Sequence, residues 1–378
     1  MKSICFVLTS PFAANAFLLG HLKALANHFK VTLCLNRAAY PLSDRIDPRV
    51  RVVDMPIARK VSLFQDLRGL FALMRLFRAE KFDAVHSITP KAGLLAMLAG
   101  VLSGVPLRYH TFTGQVWATK LGWRRAFFKN IDRFIVACAT RVFCDSQSQS
   151  KFLENEGVGS KGAVAILGAG SIAGVDTQRF RPNAEARRRI RSEFDISEEI
   201  CVFLYVGRIA RDKGVFDLIE AFSALSSHRE DVALFMVGPD EEHLQAALQS
   251  AAGTAGSKIR WLGQSFEPER FMAAADILML PSYREGFGMV VIEAASCGIP
   301  TLAYRIDGVI DAVVDGETGV LLGVGDVESL AAAMDRMVDD PMLRDRLGAS
   351  ARARVLEEFL DSTVTSAWVA FYRQATSS

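Results

Sequence analysis

The order of apolar runs and amphipathic segments predicts an α/β protein built as two doubly wound parallel-sheet domains. Three observations carry this. Short strands rich in Val, Ile, Leu and Phe alternate with helical periods along nearly the whole chain. A composition break at 168–200, rich in glycine and then in arginine (Arg187-Arg188-Arg189-Ile190-Arg191), interrupts that alternation once. The length, 378 residues, suits two domains.

In the first half the pattern predicts strands at 3–8, 31–36, 84–87, 108–111, 142–145 and 163–167. Helices are expected at 16–28, 63–78, 92–102, 122–139 and 148–156. Lys2, the apolar run 4–8 and Ala14-Asn15-Ala16 imitate a signal peptide, but the run is too short and reads as the first strand. The 16 uncharged residues between Lys91 and Arg108 fall short of a membrane span and are broken by Gly104 and Pro106, so a buried helix is expected. After the break, strands are expected at 201–206, 233–237, 260–262, 277–280, 301–304 and 319–322. Helices lie between them, and the tail 342–375 is helical.

Half of the residues are hydrophobic and 23% are charged, which excludes a disordered chain. The six cysteines are scattered without C-x-x-C or Cys/His clusters, which argues against zinc and for a reduced, cytoplasmic setting. Residues 1–180 hold 24 Lys and Arg against 11 Asp and Glu; residues 181–378 hold 20 against 31. A swing of this size points to an anionic partner for the first half: a membrane surface, a lipid phosphate or nucleic acid. The helix near 120–135 carries Lys120, Arg124, Arg125, Lys129 and Arg133 among Trp123, Phe127, Phe128 and Phe134. Its helical wheel puts Arg125, Lys129 and Arg133 on one stripe, which predicts a helix lying on anionic lipid; packing on the core is the competing reading. No nucleic-acid-binding module is visible.

The segment 284–293, R-E-G-F-G-M-V-V-I-E, is the most informative. A buried strand (277–280) precedes it, so Glu285, Gly286, Phe287, Gly288 and Met289 leave the carboxyl edge of a sheet and open a helix. Ligands bind at that edge, and a helix start there suits a diphosphate. Glu285 is placed to accept from sugar hydroxyls, and Glu293, one turn into the helix, from a ribose. Gly207-Arg208 and Lys213 lie on the loop leaving strand 201–206 and suit a phosphate grip. His110 follows another strand and is expected to point from the carboxyl edge into an interdomain cleft; His86 is a weaker candidate on the acceptor side. Gly168-Ala169-Gly170-Ser171-Ile172-Ala173 fits a dinucleotide fingerprint, but Gly174 and Pro182 follow where a helix should open.

Taken together, the E-x7-E segment, G-R-I-A-R-D-K-G at 207–214 and G-V-D-x-x-x-F-x-P at 174–182 resemble the retaining GT-B glycosyltransferases of family 4. The resemblance covers nearly the whole chain and implies two Rossmann-like domains facing a cleft. It implies an acceptor domain at 1–180, a nucleotide-sugar domain at 181–355 and a C-terminal helix at 356–378 crossing back to the first. It implies His110, Arg208, Lys213 and Glu285 as catalytic groups, and Gly263-Gln264 as a base-holding loop. Thr9-Ser10-Pro11 stands where the family has a glycine-rich loop; Ser10, with Thr111 and Gly114, is assigned to the acceptor side. H-S-I-T-P-K-A-G-L-L at 86–95 and H-T-F-T-G-Q-V-W at 110–117 look like bacterial enzymes that build capsule or O-antigen units on polyprenyl diphosphate. The implied partners are a nucleotide-sugar donor (a UDP-N-acetylhexosamine or relative, with GDP-sugars as the alternative), a lipid-linked saccharide and an anionic membrane surface. No metal and no cofactor are implied, and the expected location is the cytoplasmic face of the bacterial inner membrane. The competing functions are a non-catalytic membrane scaffold, a same-fold epimerase or phosphorylase, and an NAD-dependent oxidoreductase.

Overall fold

The computed structural model describes residues 1–57 and 62–377. They form two units: Met1–Gly174 with Asp361–Ser378, and Val175–Leu360.

The first unit has strands β1 (Ser3–Val7), β2 (Lys30–Leu35), β3 (Arg51–Asp54), β4 (Ala84–Ile88), β5 (Leu107–Phe112), β6 (Arg141–Cys144) and β7 (Val164–Ala165). Its helices are α1 (Pro11–Phe17), α2 (Leu19–Leu25), α3 (Leu63–Glu80), α4 (Pro90–Leu102), α5 (Gly122–Cys138) and α6 (Gln147–Asn155). All pairs are parallel, in the order β3-β2-β1-β4-β5-β6-β7. Strand alternation divides the side chains between two layers. Cys5, Val7, Val85 and Phe112 join Leu73, Phe77, Met97 and Ile135 in one core, where α4 packs between α3 and α5. Phe6, His86, Tyr109 and Phe143 face the other way. The helix expected at 16–28 begins earlier, because Pro11 suits a first turn, and breaks at Leu18. Strand β3 was not expected: R-V-V-D offers two apolar residues, and as an edge strand it is only half-buried.

The second unit has α7 (Ala184–Glu193), β8 (Cys201–Val206), α8 (Val215–Ser226), β9 (Val232–Val237), α9 (Gln245–Ala252), β10 (Ile259–Gly263), α10 (Pro268–Ala274) and β11 (Ile277–Leu280). It continues with α11 (Met289–Ser296), β12 (Thr301–Tyr304), α12 (Val309–Ala312), β13 (Gly319–Leu322), α13 (Val327–Asp339) and α14 (Pro341–Glu358). Its parallel sheet runs β10-β9-β8-β11-β12-β13. Val202, Leu204 and Leu278 enter one core, and Phe203, Tyr205 and Met279 the other. The strand order reverses at β8/β11, so the loops after these two strands flank the crevice where such sheets bind ligands.

The expected boundaries at 180 and 355 both shift. Val175 N donates to Phe359 O at 2.8 Å, and Val175 bridges Leu360. Phe180 and Phe359 are buried in the second unit's core. The returning segment therefore starts at Asp361, as α15 (Asp361–Ser377). It lays Trp368 and Tyr372 over His86, Phe143 and Phe6 of the first unit. Nor is the break at 168–200 a loose linker. Arg191 is buried and donates to Asp276 Oδ2 at 2.7 Å and to three carbonyl oxygens, so its charge is paired where it is desolvated. After Gly168–Ala173 no helix opens before Ala184, which removes the structural context a dinucleotide fingerprint needs.

Candidate functional site

At the β8/β11 crevice the sequence-predicted residues of the β8 and β11 loops come together. The loop leaving β8 carries Gly207, Arg208 and Lys213; the loop leaving β11 carries Glu285 and Gly286, and α11 starts at Met289 with Gly288 as its N-cap. Lys213 Nζ meets Glu285 Oε1 at 2.7 Å and Arg284 O at 3.3 Å. Ser282 Oγ donates to the same Glu285 oxygen at 2.8 Å. Arg208 Nη1 donates to Glu241 Oε2 at 3.0 Å, and its Nη2 lies 3.7 Å from Asp212. Burial works against the Arg208 charge, but Asp212 and Glu241 win and hold its pKa above the usual range. Burial likewise opposes the Asp212 carboxylate; Arg284, Arg208 and Lys213 outweigh it and lower its pKa. The crevice is thus lined by cations held against carboxylates, and an incoming polyanion can compete for them.

Two glycines set the loop spacing. Gly214 (φ 65°) would place a Cβ 1.8 Å from Pro281 O, and Gly308 (φ 91°) would place one 2.4 Å from Gly286 O. Only glycine lets these backbones touch. Asp217 accepts from Tyr283 and Tyr304 at 2.6 and 2.8 Å, and Tyr283 N donates to Asp212 O at 3.0 Å, tying the two loops together. Asp212, Asp217, Glu241, Tyr283 and Arg284 were not singled out in the sequence. The signal for Asp212 and Arg284 was their adjacency to Lys213 and Glu285; Glu241 and Asp217 gave none.

Glu293 lies in the second turn of α11, beside the Arg179–Glu269 ion pair. Burial, with help from Glu269, pushes its pKa up to about 7 against the pull of Arg179. Arg179 also donates to Phe266 O at 2.6 Å, in the loop that begins at Gly263-Gln264. Arg179 thus joins the loop expected to hold a base to the electrostatic surroundings of Glu293.

The first-unit candidates are placed differently. His110 does not point out from the edge. Its ring lies under α4, accepts from or donates to Ser87 Oγ at 2.8 Å, and a Cβ on Gly93 would strike it at 2.5 Å. Burial lowers its pKa to about 3. His86 and Thr111 are also interior. His86 bonds Thr111 Oγ1 at 2.8 Å through Nε2 and Tyr372 OH through Nδ1, and burial holds the ring neutral. Ser10 remains at the edge as the N-cap of α1, with Thr9 and Thr89 3.5 Å apart beside it. Gly114 follows β5 at φ 92°, and the buried Gln115 amide next to it has no partner within the described residues.

Helix α5 is turned over relative to expectation. Arg125 and Lys129 face the protein: each meets Glu156 of the α6 C-terminus at 2.7 Å and lies over the Trp117 ring. Arg133 donates to Gly157 O and Glu156 O. The exposed face carries Trp123, Phe127 and Arg124, with Lys120 half-exposed beside it.

Among the described residues no group of three or more His, Cys, Asp or Glu is placed to hold a metal ion, and no helix is long and apolar enough to cross a membrane.

Comparison with known proteins agrees with this geometry. Residues 186–354 match the family model for glycosyl transferases group 1, and residues 14–169 the model for the glycosyl transferase 4-like domain. The chain is 29% identical over 307 residues to the capsular polysaccharide biosynthesis glycosyltransferase CapM of Staphylococcus aureus, covering 81% of this chain and 80% of that one. It is 26% identical over 325 residues to the UDP-Gal:alpha-D-GlcNAc-diphosphoundecaprenol alpha-1,3-galactosyltransferase of Escherichia coli, covering 84% and 82%. Among solved structures, sucrose-phosphate synthase from Thermosynechococcus elongatus superposes with a TM-score of 0.82 at 22% identity, over 100% of both chains. Anabaena HepE in complex with UDP-glucose gives 0.81 at 18%, over 99% and 100%. These two likenesses concern the fold. With both halves matched and both sheets in the expected order, the chain belongs to the GT-B glycosyltransferases, joining a glycosyl transferase 4-like domain to one of group 1.

Proposed function

We propose that this chain is a retaining, metal-independent glycosyltransferase that moves a sugar, an N-acetylhexosamine or a relative, from UDP to a saccharide on polyprenyl diphosphate during surface-polysaccharide synthesis. The observation that carries this is that the β8 loop, with Arg208 and Lys213, and the β11 loop, with Glu285 and the start of α11, meet at the β8/β11 crevice through the Lys213–Glu285 contact. Supporting it are the names of two relatives, one a capsule enzyme and one that takes UDP-Gal to a GlcNAc-diphosphoundecaprenol.

In this reading Arg208, Lys213 and the N–H groups and positive dipole end at the start of α11 take up the charge that develops on the leaving diphosphate. They do so in the role a metal has elsewhere. Glu285, held by Ser282 and Lys213, accepts from the donor sugar's hydroxyls, and Glu293 from the ribose. The leaving diphosphate and the incoming hydroxyl share one face of the sugar, so a diphosphate oxygen takes the hydroxyl proton and the anomeric configuration is kept. Ser10, Gly114 and their neighbours at the first unit's carboxyl edge serve the acceptor. His110 is not assigned contact with the reacting centre, because its ring lies under α4. The enzyme works at the cytoplasmic face of the inner membrane, where its lipid-linked acceptor is found.

The test is a donor panel of UDP- and GDP-sugars with a short-chain polyprenyl-diphosphate GlcNAc acceptor, read by nucleotide release and by NMR of the product's anomeric proton. Release of UDP with an α-linked product from an α-linked donor is expected. GDP release, inversion, or release that needs added divalent metal would each overturn the corresponding part.

A further inference from the structure

Two helices of the first unit expose large apolar side chains toward the same end. On α3, Leu63 is 82% and Phe64 79% exposed, and Leu67 and Phe71 continue the row. At α5, Leu121 is 87% and Trp123 74% exposed, with Phe127 following. Both helices pack on α4, and each follows a strand of a parallel sheet and leads into the next. Both therefore begin at the sheet's carboxyl edge, which is also the edge that holds Ser10 and Gly114. Neither row has a covering element among the described residues.

The charges around these rows have one sign. Arg68 and Arg75 on α3 are exposed, as is Arg124 on α5, with Lys120 just before it. None of the four pairs with a carboxylate in the described residues; Arg124 instead lies over the Trp123 ring at 5.6 Å and Lys120 over Phe128 at 5.8 Å. The nearby acids are spent internally: Asp66 on Lys91, Asp132 on the Trp117 indole and Glu156 on Arg125 and Lys129. The whole unit holds 24 Lys and Arg against 11 Asp and Glu.

We infer that the N-terminal halves of α3 and α5 form a two-pronged membrane foot. Leu63, Phe64, Leu67, Trp123 and Phe127 enter the headgroup–acyl boundary of an anionic bilayer, while Arg68, Arg75, Lys120 and Arg124 meet lipid phosphates. Apolar side chains ringed by cations, with Trp at the boundary, are what such an interface selects. A second copy meeting this face with its own would set these cations against like charges, which disfavours a pair of copies. The foot brings the carboxyl edge of the first unit to the membrane, so a polyprenyl-linked acceptor needs to rise little to reach it. This deepens the proposed function and rests on it for the acceptor. It also replaces the basic stripe expected from sequence with an apolar contact, since Arg125 and Lys129 face inward.

The experiment is co-sedimentation with vesicles of phosphatidylcholine containing phosphatidylglycerol, read without substrate and so independently of the reaction. The variant Leu63→Ser, Phe64→Ser, Leu67→Ser, Trp123→Ser, Phe127→Ser alters only exposed side chains and should fold normally by circular dichroism. Its partition should fall by more than about 100-fold at both low and high salt. Lys120→Ser with Arg124→Ser should lose on the order of tenfold, at low salt only. Emission of the wild type should shift to the blue on vesicles, and Trp123→Phe should abolish the shift. Nucleotide release with a water-soluble acceptor should be unchanged in all of these variants. Partition of the five-fold variant equal to wild type would overturn the inference. So would a lipid-free dimer, by light scattering, that this variant dissociates, since the face would then be a contact between copies.

Discussion

Lys213 Nζ meets Glu285 Oε1 at 2.7 Å, so an arriving diphosphate has to share or displace that contact. Lys213→Ala and Arg208→Ala should each lower kcat by about 10²-fold or more, the range for losing one preorganised electrostatic contact. Their thermal unfolding should change little, because both side chains lie at the crevice. Near-normal turnover in both variants would remove the phosphate grip. Glu293 makes a pH prediction. Its pKa in the folded chain, raised by burial to about 7, lies above the 4.5 of an unperturbed carboxyl. Between these values the folded state holds a proton that the unfolded state has lost, so stability falls as pH rises through that window. Glu293→Gln should remove this slope and raise Tm at pH 8. Ribose hydroxyls donate best to the carboxylate, so binding should expel the proton. Uridine, whose own groups do not titrate near neutrality, should bind wild type more weakly at pH 6 than at pH 8. Glu293→Gln should bind it weakly and without pH dependence. Calorimetry at the two pH values decides this, and a pH-independent wild type would exclude the ribose role.

At the scale of elements, the two loops at the crevice depend on glycine backbones. Gly308→Ala drives a Cβ against Gly286 O, 2.4 Å away, and should displace the start of α11. UDP binding should suffer at least about tenfold, with both sheets intact by circular dichroism; unchanged binding would show that the loop tolerates the shift. Helix α15 carries a different dependence. Trp368 is packed against His21, His86 and Phe143. Trp368→Ala should destabilise the first unit by about 3–5 kcal/mol, as large buried truncations do, and Tyr372→Phe by about 1–2 kcal/mol, leaving the His86 Nδ1 without its partner. Chemical denaturation checks both.

These elements also show what the sequence made legible. Arg208, Lys213, Glu285 and Glu293 could be read because a short segment and its strand fix their place at a sheet edge. His86 could be placed on β4, but its true partner, Tyr372, lies 286 positions away. For α5 the helical wheel told which residues share a face. It could not tell that Glu156, on another helix, would draw Arg125 and Lys129 inward.

At the scale of the whole chain, two sheets with strand order reversing at β1/β4 and β8/β11 create two crevices, and the charged groups suited to a diphosphate lie at the second. This second crevice is where the nucleotide diphosphate is expected to bind. The most direct measurement is calorimetric titration of UDP into the wild-type chain, Arg208→Ala, Glu293→Gln and His110→Ala, with NAD as a control ligand. UDP should bind wild type and His110→Ala alike, and Arg208→Ala and Glu293→Gln at least about tenfold more weakly; NAD should not bind. Equal UDP affinity in all four proteins, or binding of NAD in place of UDP, would show that the second crevice is not a UDP site.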